Sequence, residues 1–545
     1  MTIELEHLKK WIASMAALIE KDGDPEPQHY TPFLQEPELA LRLVDLIEEL
    51  DESSYDEERP YYSACVFALD ICVAQLQAAH ENGNKAGGKI LTHLMDYMAA
   101  TINKTKHTLS FWLPILNAFY EVHVELSSPL KDAYLNLAGE EEELTPEEEA
   151  NHLSAIKEMI QELSDLSVFD IAENFFAQSY AMPDDFFSDL VIDLYSIEEG
   201  QDIALLLLLH PKAHVRQVVV DTIAQIIESI TLSSISLSRL QVIKSWYSSS
   251  YHEQFNSWIK IQRKKGVIFH PLGTQPVFRV KASEVDGSGA QGLFVHLKKY
   301  RGNRLGGLLL KQEIGVKDAW ITPIIAAKEV TSYYDEAFDE TVTLREVDRD
   351  YFVLITNHFL ALTLAQGSMP DLHLFEIQEL LGLHFIPEFI DIAAVMEEIS
   401  IQISPFTPAA MDESFKRSRG WLTTKKFTES WYIENAHIDK LVNRSSSFVE
   451  GIRVCDIETA MEAVFEHEME KNRDKWLFHF LWITLWMKAK ARKTEKLWQD
   501  SFFIAYAIQQ GTPLHTIPVM QEICRQTVIN SAETMNERRT HLNKE

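Results

Sequence analysis

Histidines and glutamates at ligand spacing are the first places to look for chemistry in this chain. Glu466-His-Glu-Met-Glu-Lys471 opens like the zinc motif in which two histidines four apart share one helix face. Lys471 stands where the second histidine must be, so the ligand pair is lost and an exposed acidic helix face is expected. His373 and Glu376 lie three apart on an expected helix, with His384 nearby, and could meet around a metal. Pairs at that spacing also arise by chance, and no metal is assigned. The run Gly287-Ser-Gly-Ala-Gln-Gly292 could cradle a phosphate only if it opened a helix whose first amides bind the anion. The residues after it alternate like a strand, so a hairpin turn is expected instead. No Gly-x-Ser-x-Gly elbow occurs, and none of Cys65, Cys72, Cys455 and Cys524 sits in a nucleophile context or a CxxC pair. These readings assign no catalytic residue and no cofactor, and favour a chain that is not an enzyme.

The cations say more. They gather at 260–265, 298–304, 416–426 and 488–493, and Tyr300 and Trp421 interleave two of these clusters. Such a mixture could hold a phosphodiester backbone and stack on a base. The candidate anion or nucleic-acid contacts are Lys264, Lys265, Lys298, Lys299, Arg301, Arg304, Lys416, Arg417 and Arg419. Against that use stand solvated surfaces, helix ends that favour positive charge, and docking onto acidic parts of the chain itself. The acid is unevenly placed: residues 1–200 hold 11 Lys and Arg against 40 Asp and Glu, and residues 201–545 hold 39 against 42. A sequence pI near 5.0 argues against a dedicated nucleic-acid binder.

The elements that must position these groups are mostly helices. A chain of 545 residues exceeds one hydrophobic core and should divide into several domains. Apolar residues recur at three- and four-residue spacing through 38–50, 61–79 and 89–102, the mark of amphipathic helices. Thr145, Pro146 and Glu148 read as a capped helix start after the acidic run 140–143. The amino terminus lacks the pattern of a signal peptide. The apolar stretches 204–209, 351–365 and 476–487 fall short of the roughly 20 residues that span a bilayer. A soluble, cytoplasmic protein with reduced, buried thiols and no membrane partner is expected.

Residues 200–228 carry a leucine-rich segment, a break at His210-Pro211, Val215-Arg216 at the head of a second helix, and the ladder Val219, Ile223, Ile226, Ile227. This stretch resembles one unit of a HEAT-type helical repeat. The resemblance implies a helical stack with an extended binding surface. Nine of the 20 glycines then fall between 266 and 315, where alternation at 277–285, 293–297 and 308–314, and again at 341–347, predicts a small antiparallel sheet. Helices are expected to resume at 350–365, 371–381 and 388–399, with a loop over 404–428.

The expected fold is therefore mainly α: an irregular helical stack, HEAT-like in part, with a small inserted antiparallel sheet. The expected divisions are an acidic helical domain at 1–138, a stack at 146–265, the β insertion at 266–347, a helical segment at 348–403 and a helical domain at 430–535. The tryptophans at 476, 482 and 486 are expected to pack in the core. The function expected from this is a non-enzymatic cytoplasmic scaffold or adaptor that binds a basic protein partner through an acidic helical surface. Nucleic-acid association through the clusters around the sheet ranks second, and an enzyme with a site at the sheet–helix junction third. Self-association stays open.

Overall fold

The structure, a computed structural model, describes residues 5–21, 27–50, 55–81, 84–122, 124–139, 146–180, 184–270, 276–299, 302–337, 344–421, 431–449, 452–490 and 497–542. It is mainly α with one five-stranded antiparallel sheet and a two-stranded hairpin. The chain forms two compact units, residues 1–210 with 214–236 and 261–267, and residues 211–213 with 237–260 and 268–545.

The first unit is built around the helix Tyr55–Glu81, against which Leu5–Ile19, Ala40–Glu48, Lys85–Ile102 and Leu109–Glu121 pack. The stretch Arg59–Glu81 is long and apolar enough to cross a membrane by length and composition, unlike the three shorter apolar stretches weighed from the sequence. Here it is the hub of a helical core: Ala64, Cys65, Ala68, Leu69, Cys72, Val73 and Leu76 are all buried. Cys65 and Cys72 share its inner face as free thiols. Burial pushes the pKa of both up to about 12, which suppresses the reactive thiolate. The helix Pro146–Glu162 starts where expected, although Thr145 lies outside the described residues.

Within residues 200–228 the first helix is short. Gln201–Leu206 tightens into a 3-10 turn at Leu207–Leu209, and all seven residues from Ile203 to Leu209 are buried. Pro211 breaks the chain, and Ala213–Ile226 follows with Val215, Val219 and Ile223 inward. Arg216 turns back to donate from Nη1 to the His210 carbonyl at 2.7 Å, satisfying an acceptor that the break leaves open.

In the second unit the strands are β1 (Phe278–Ser283), β2 (Ala290–Lys299), β3 (Gly302–Lys311), β4 (Gly315–Ile321) and β5 (Leu344–Val347). Their order is β4-β3-β2-β1-β5, and every pairing is antiparallel. The glycine-rich run is a hairpin turn. Asp286 Oδ1 accepts from the Ser288 hydroxyl at 2.7 Å and the Ala290 amide at 2.9 Å, while Gly289 takes φ +77°. Gly315, with φ +99°, begins β4, a strand that the alternation pattern does not predict. A Cβ there would lie 2.1 Å from Thr363 Oγ1, so only glycine lets the strand approach the helix Arg349–Ala365.

Two further expectations need correction. The loop expected over 404–428 contains the helix Pro408–Ser418, with Thr407 Oγ1 accepting from the Ala410 amide and Pro408 at the first helical position. The helical block expected over 430–535 is interrupted by the hairpin of β6 (Ser446–Val449) and β7 (Ile452–Cys455). The tryptophan stripe is core, as expected: Trp476, Trp482 and Trp486 are all buried in the helix Arg473–Lys488.

His479 shares that helix and is 1% exposed, its ring set against Trp431 and Trp476. Burial, with a smaller contribution from Lys475, lowers its pKa from 6.5 to about 3. The imidazole therefore stays neutral in the folded chain, while the unfolded chain binds a proton below about pH 6.5. Its contribution to stability is complete above pH 6.5 and is lost as pH falls toward 3. Between pH 6.5 and 5 the loss is about 2 kcal/mol. His358, which burial lowers to about 4, acts in the same direction. Urea midpoints at pH 7.5 and 5 should therefore differ more in the native chain than in His479→Phe. Equal differences would show that His479 is not the titrating group.

Candidate functional site

The sequence from 457 to 466 carries two parallel stripes at four-residue spacing. Ile457, Met461 and Phe465 form one, and Glu458, Glu462 and Glu466 the other. A helix turns such spacing into two adjacent rows on one side. Asp456 caps this helix, Ile457–Val464, by accepting from the Thr459 amide at 3.2 Å, and that bond holds the Asp456 carboxyl below its ordinary pKa. The helix continues as a π-helical turn, Phe465–Met469, a local widening that often marks functional sites. Cys524 Sγ lies 3.6 Å from the Met461 carbonyl and seats the helix Pro518–Leu542 alongside.

Between these two helices runs a groove of about 1000 Å³. Ile457, Met461, Phe465 and Pro513 supply its apolar lining. Glu458, Glu462, Glu466, Glu470 and Glu522 line it as well, against the single guanidinium of Arg525. Glu470 is engaged, accepting from the Leu514 amide at 2.6 Å and from Arg473 Nη1 at 2.7 Å, and so fixes the end of the groove. Among the described residues Glu458, Glu462 and Glu522 have no ion pair. The groove thus joins exposed apolar surface, Ile457 being 38% exposed, to a field of uncommitted negative charge. The zinc-like run lies on its wall: the side chains of Glu466 and His467 are 78% and 45% exposed.

Four of the nine cations singled out from the sequence are engaged by neighbouring groups. Lys265 Nζ donates to the carbonyls of Ile227, Glu228 and Ile230, closing the end of the helix Ala213–Ile226. Arg304, 15% exposed at its side chain, donates from Nε to the Thr322 carbonyl and from Nη2 to Glu376 Oε1, both at 2.8 Å. Arg417 straddles the buried carboxylate of Asp500, which also accepts from Ser414 Oγ at 2.8 Å. Lys416 pairs with Glu413 at 2.8 Å. Lys264, Lys298 and Arg419 are exposed. Arg301 and the side chain of Lys299 lie outside the described residues. Among the described residues, Lys265, Arg304, Lys416 and Arg417 are therefore held by neighbouring acceptors.

A cavity of about 470 Å³ at the sheet–helix junction is lined by carboxylates and lysines but by no described histidine. Its polar groups largely satisfy one another, Lys475 with Glu313 at 2.6 Å and Asn435 and Asn472 with Glu468. His373 Nδ1 stands 3.2 Å from the acceptor Asp371 Oδ1, and its Nε2 3.9 Å from Glu376 Oε2, while His384 is exposed beyond the helix end at Gly382. A buried Ser179 Oγ sits 2.9 Å from His210 Nε2, but the hydroxyl also donates to the Phe176 carbonyl and neither residue faces solvent. That pair is a packed hydrogen bond rather than a nucleophile and base.

The fold and groove describe a mainly helical protein with an acid-lined groove built from residues between 457 and 525. Residues 393–532, which include most of that groove, match the family model of the Y4lR C-terminal helical domain, and residues 183–266 match that of the Y4lR second domain. Residues 200–228 fall inside the latter match. The chain is 24% identical over 332 residues to the uncharacterized protein y4lR of Sinorhizobium fredii, an alignment that takes in 60% of this chain and 61% of that protein. The chain thus spans about three fifths of the length of that curated relative. No solved structure matches.

Proposed function

We propose that this chain is a non-enzymatic cytoplasmic scaffold or adaptor whose partner is a basic protein, and that the partner docks in the groove between Ile457–Val464 and Pro518–Leu542. The observation that carries this reading is the joining of an apolar lining to the carboxylates of Glu458, Glu462 and Glu522, which among the described residues have no ion pair of their own. Apolar area supplies affinity, and uncommitted like charge steers and selects an oppositely charged partner. The HEAT-like stretch at 200–228 belongs to the same reading, since stacked helices present extended binding surfaces. The acidic amino-terminal part has a smaller share in it than its composition suggests. Several of its acids are engaged internally, Asp45 with Tyr97 and Arg42, Glu48 with Thr105, and Glu49 with Lys9. Association with nucleic acid loses support from the engagement of Lys265, Arg304 and Arg417.

The test is affinity capture on the tagged full chain at low and high salt, beside a variant carrying Glu462→Lys, Glu466→Lys and Glu522→Lys. A basic protein retained at low salt, released at high salt and lost from the variant is the expected result. An unchanged set of captured proteins would overturn the reading.

A further inference from the structure

The geometry points to one kind of occupant for this groove: an amphipathic helix of another protein, carrying lysine or arginine beside an apolar stripe, both at four-residue spacing. This inference rests on the proposed role of the groove in protein binding and goes on to say what enters it. Three features of the site select that occupant.

The first is shape. The two long walls are helices, Ile457–Val464 with its π-helical extension and Pro518–Leu542, and the turn that carries Pro513 and His515 completes the lining. Helix interiors have no open backbone groups to offer. An extended peptide laid between them would bring its own amides and carbonyls against apolar surface without partners, whereas a helix satisfies its backbone internally. The second is spacing. Ile457, Met461 and Phe465 rise along the wall in steps of four residues, about 6 Å each, or about 12 Å from first to last. A partner helix of about three turns with apolar residues at i, i+4 and i+8 repeats that step. The third is charge. Glu458, Glu462 and Glu466 follow the apolar row one residue behind, and Glu522 stands on the opposite wall. A helix that seats its apolar stripe on the lining would meet carboxylates at its flanks. Lysine and arginine suit such flanks, since their apolar stems lie along the wall while the charged heads reach the rim.

The experiment uses the full chain and a fluorescein-labelled, end-capped 16-residue peptide. The peptide is a designed helix with leucine at every fourth position, lysine following each leucine, and alanine and glutamine elsewhere. A second peptide replaces each lysine by glutamate. Binding is read by fluorescence anisotropy and helix induction by circular dichroism. The lysine peptide should bind, gain helicity on binding, and weaken at least about tenfold between 50 and 500 mM salt. The variant Glu462→Lys, Glu466→Lys, Glu522→Lys should bind it at least about tenfold more weakly and bind the glutamate peptide instead. Ile457→Ser, at an exposed position, should weaken the lysine peptide in the native chain and the glutamate peptide in the charge-reversed variant, which separates the apolar contribution from the charge. A thermal melt of each variant establishes that it is folded.

The inference is overturned if the lysine peptide does not bind, if it binds the charge-reversed variant equally well, or if it binds without becoming helical. Should it fail while the captured cellular partner still depends on Glu462, Glu466 and Glu522, the docking role stands and the helical occupant does not. Should both fail, the groove is not a binding site.

Discussion

Trp482→Ala is expected to destabilise the second unit by about 4–5 kcal/mol, near the upper end for the truncation of a core side chain. The indole is fully buried and packs against Phe359 at 4.6 Å and Phe478 at 5.9 Å between ring centroids. Removing it opens a large cavity in a close-packed region. It also removes a donor. Trp482 Nε1 donates to Gln291 Oε1 and to the Tyr351 hydroxyl, each at 3.1 Å, and Tyr351 donates to the same Gln291 oxygen at 2.6 Å. Gln291 Nε2 in turn donates to the Ser283 carbonyl at 2.8 Å. One buried network thus fastens β2, the helix Arg349–Ala365 and the helix Arg473–Lys488 to each other. Trp482→Phe keeps most of the volume and loses the N–H with part of the indole, so it should cost about 1–3 kcal/mol. The apparent melting temperature should fall by about 8 °C in the alanine variant and clearly less in the phenylalanine one. Equal shifts would mean that the network contributes more than the packing.

That network shows what can be read from the sequence and what cannot. Trp482 is legible as core because it lies four residues from Trp486 on an apolar stripe. Its partners are not, since Gln291 and Tyr351 are 191 and 131 residues away along the chain. The sheet is legible through its glycines and alternation at β1 to β3. β4 escapes because Gly315-Val-Lys-Asp carries turn residues, and its pairing with β3 is irregular at Leu309 and Leu310. The helix Pro408–Ser418 is hidden by loop-like composition. Thr407-Pro408 is nonetheless a cap followed by a first-position proline, a local signal that outweighs the Ser, Lys and Arg around it. The groove is half legible. Its two stripes stand in the sequence at 457–466, but the second wall comes from residues beyond 513, and only the fold brings them together. The partners of the clustered cations are hidden for the same reason. Arg304, Arg417 and Lys265 each find a partner 35 to 83 residues away, where a local reading sees only bare charge.

Glu376→Ala decides what one of those cations does. The carboxylate is 4% exposed at its side chain and takes Arg304 Nη2 at 2.8 Å, joining the helix Leu372–Leu381 to β3. Truncating it leaves a guanidinium that is only 15% exposed without its counter-charge, which is expected to cost about 3–5 kcal/mol. Arg304→Ala should cost a comparable amount, with the Thr322 carbonyl also losing its Nε donor. The double variant should cost less than the two singles together, by about 2 kcal/mol or more, because neither charge is then left alone. Replacing both residues by methionine should restore much of the loss, since the volume returns without a desolvated charge. Urea unfolding of the native chain, the two single variants and the double variant measures the cycle. A coupling near zero would mean that Arg304 is held by Thr322 alone and that its charge is available to a ligand. A large coupling assigns Arg304 to the fold, because a guanidinium fixed between a buried carboxylate and a backbone carbonyl cannot turn to a phosphate without giving up both.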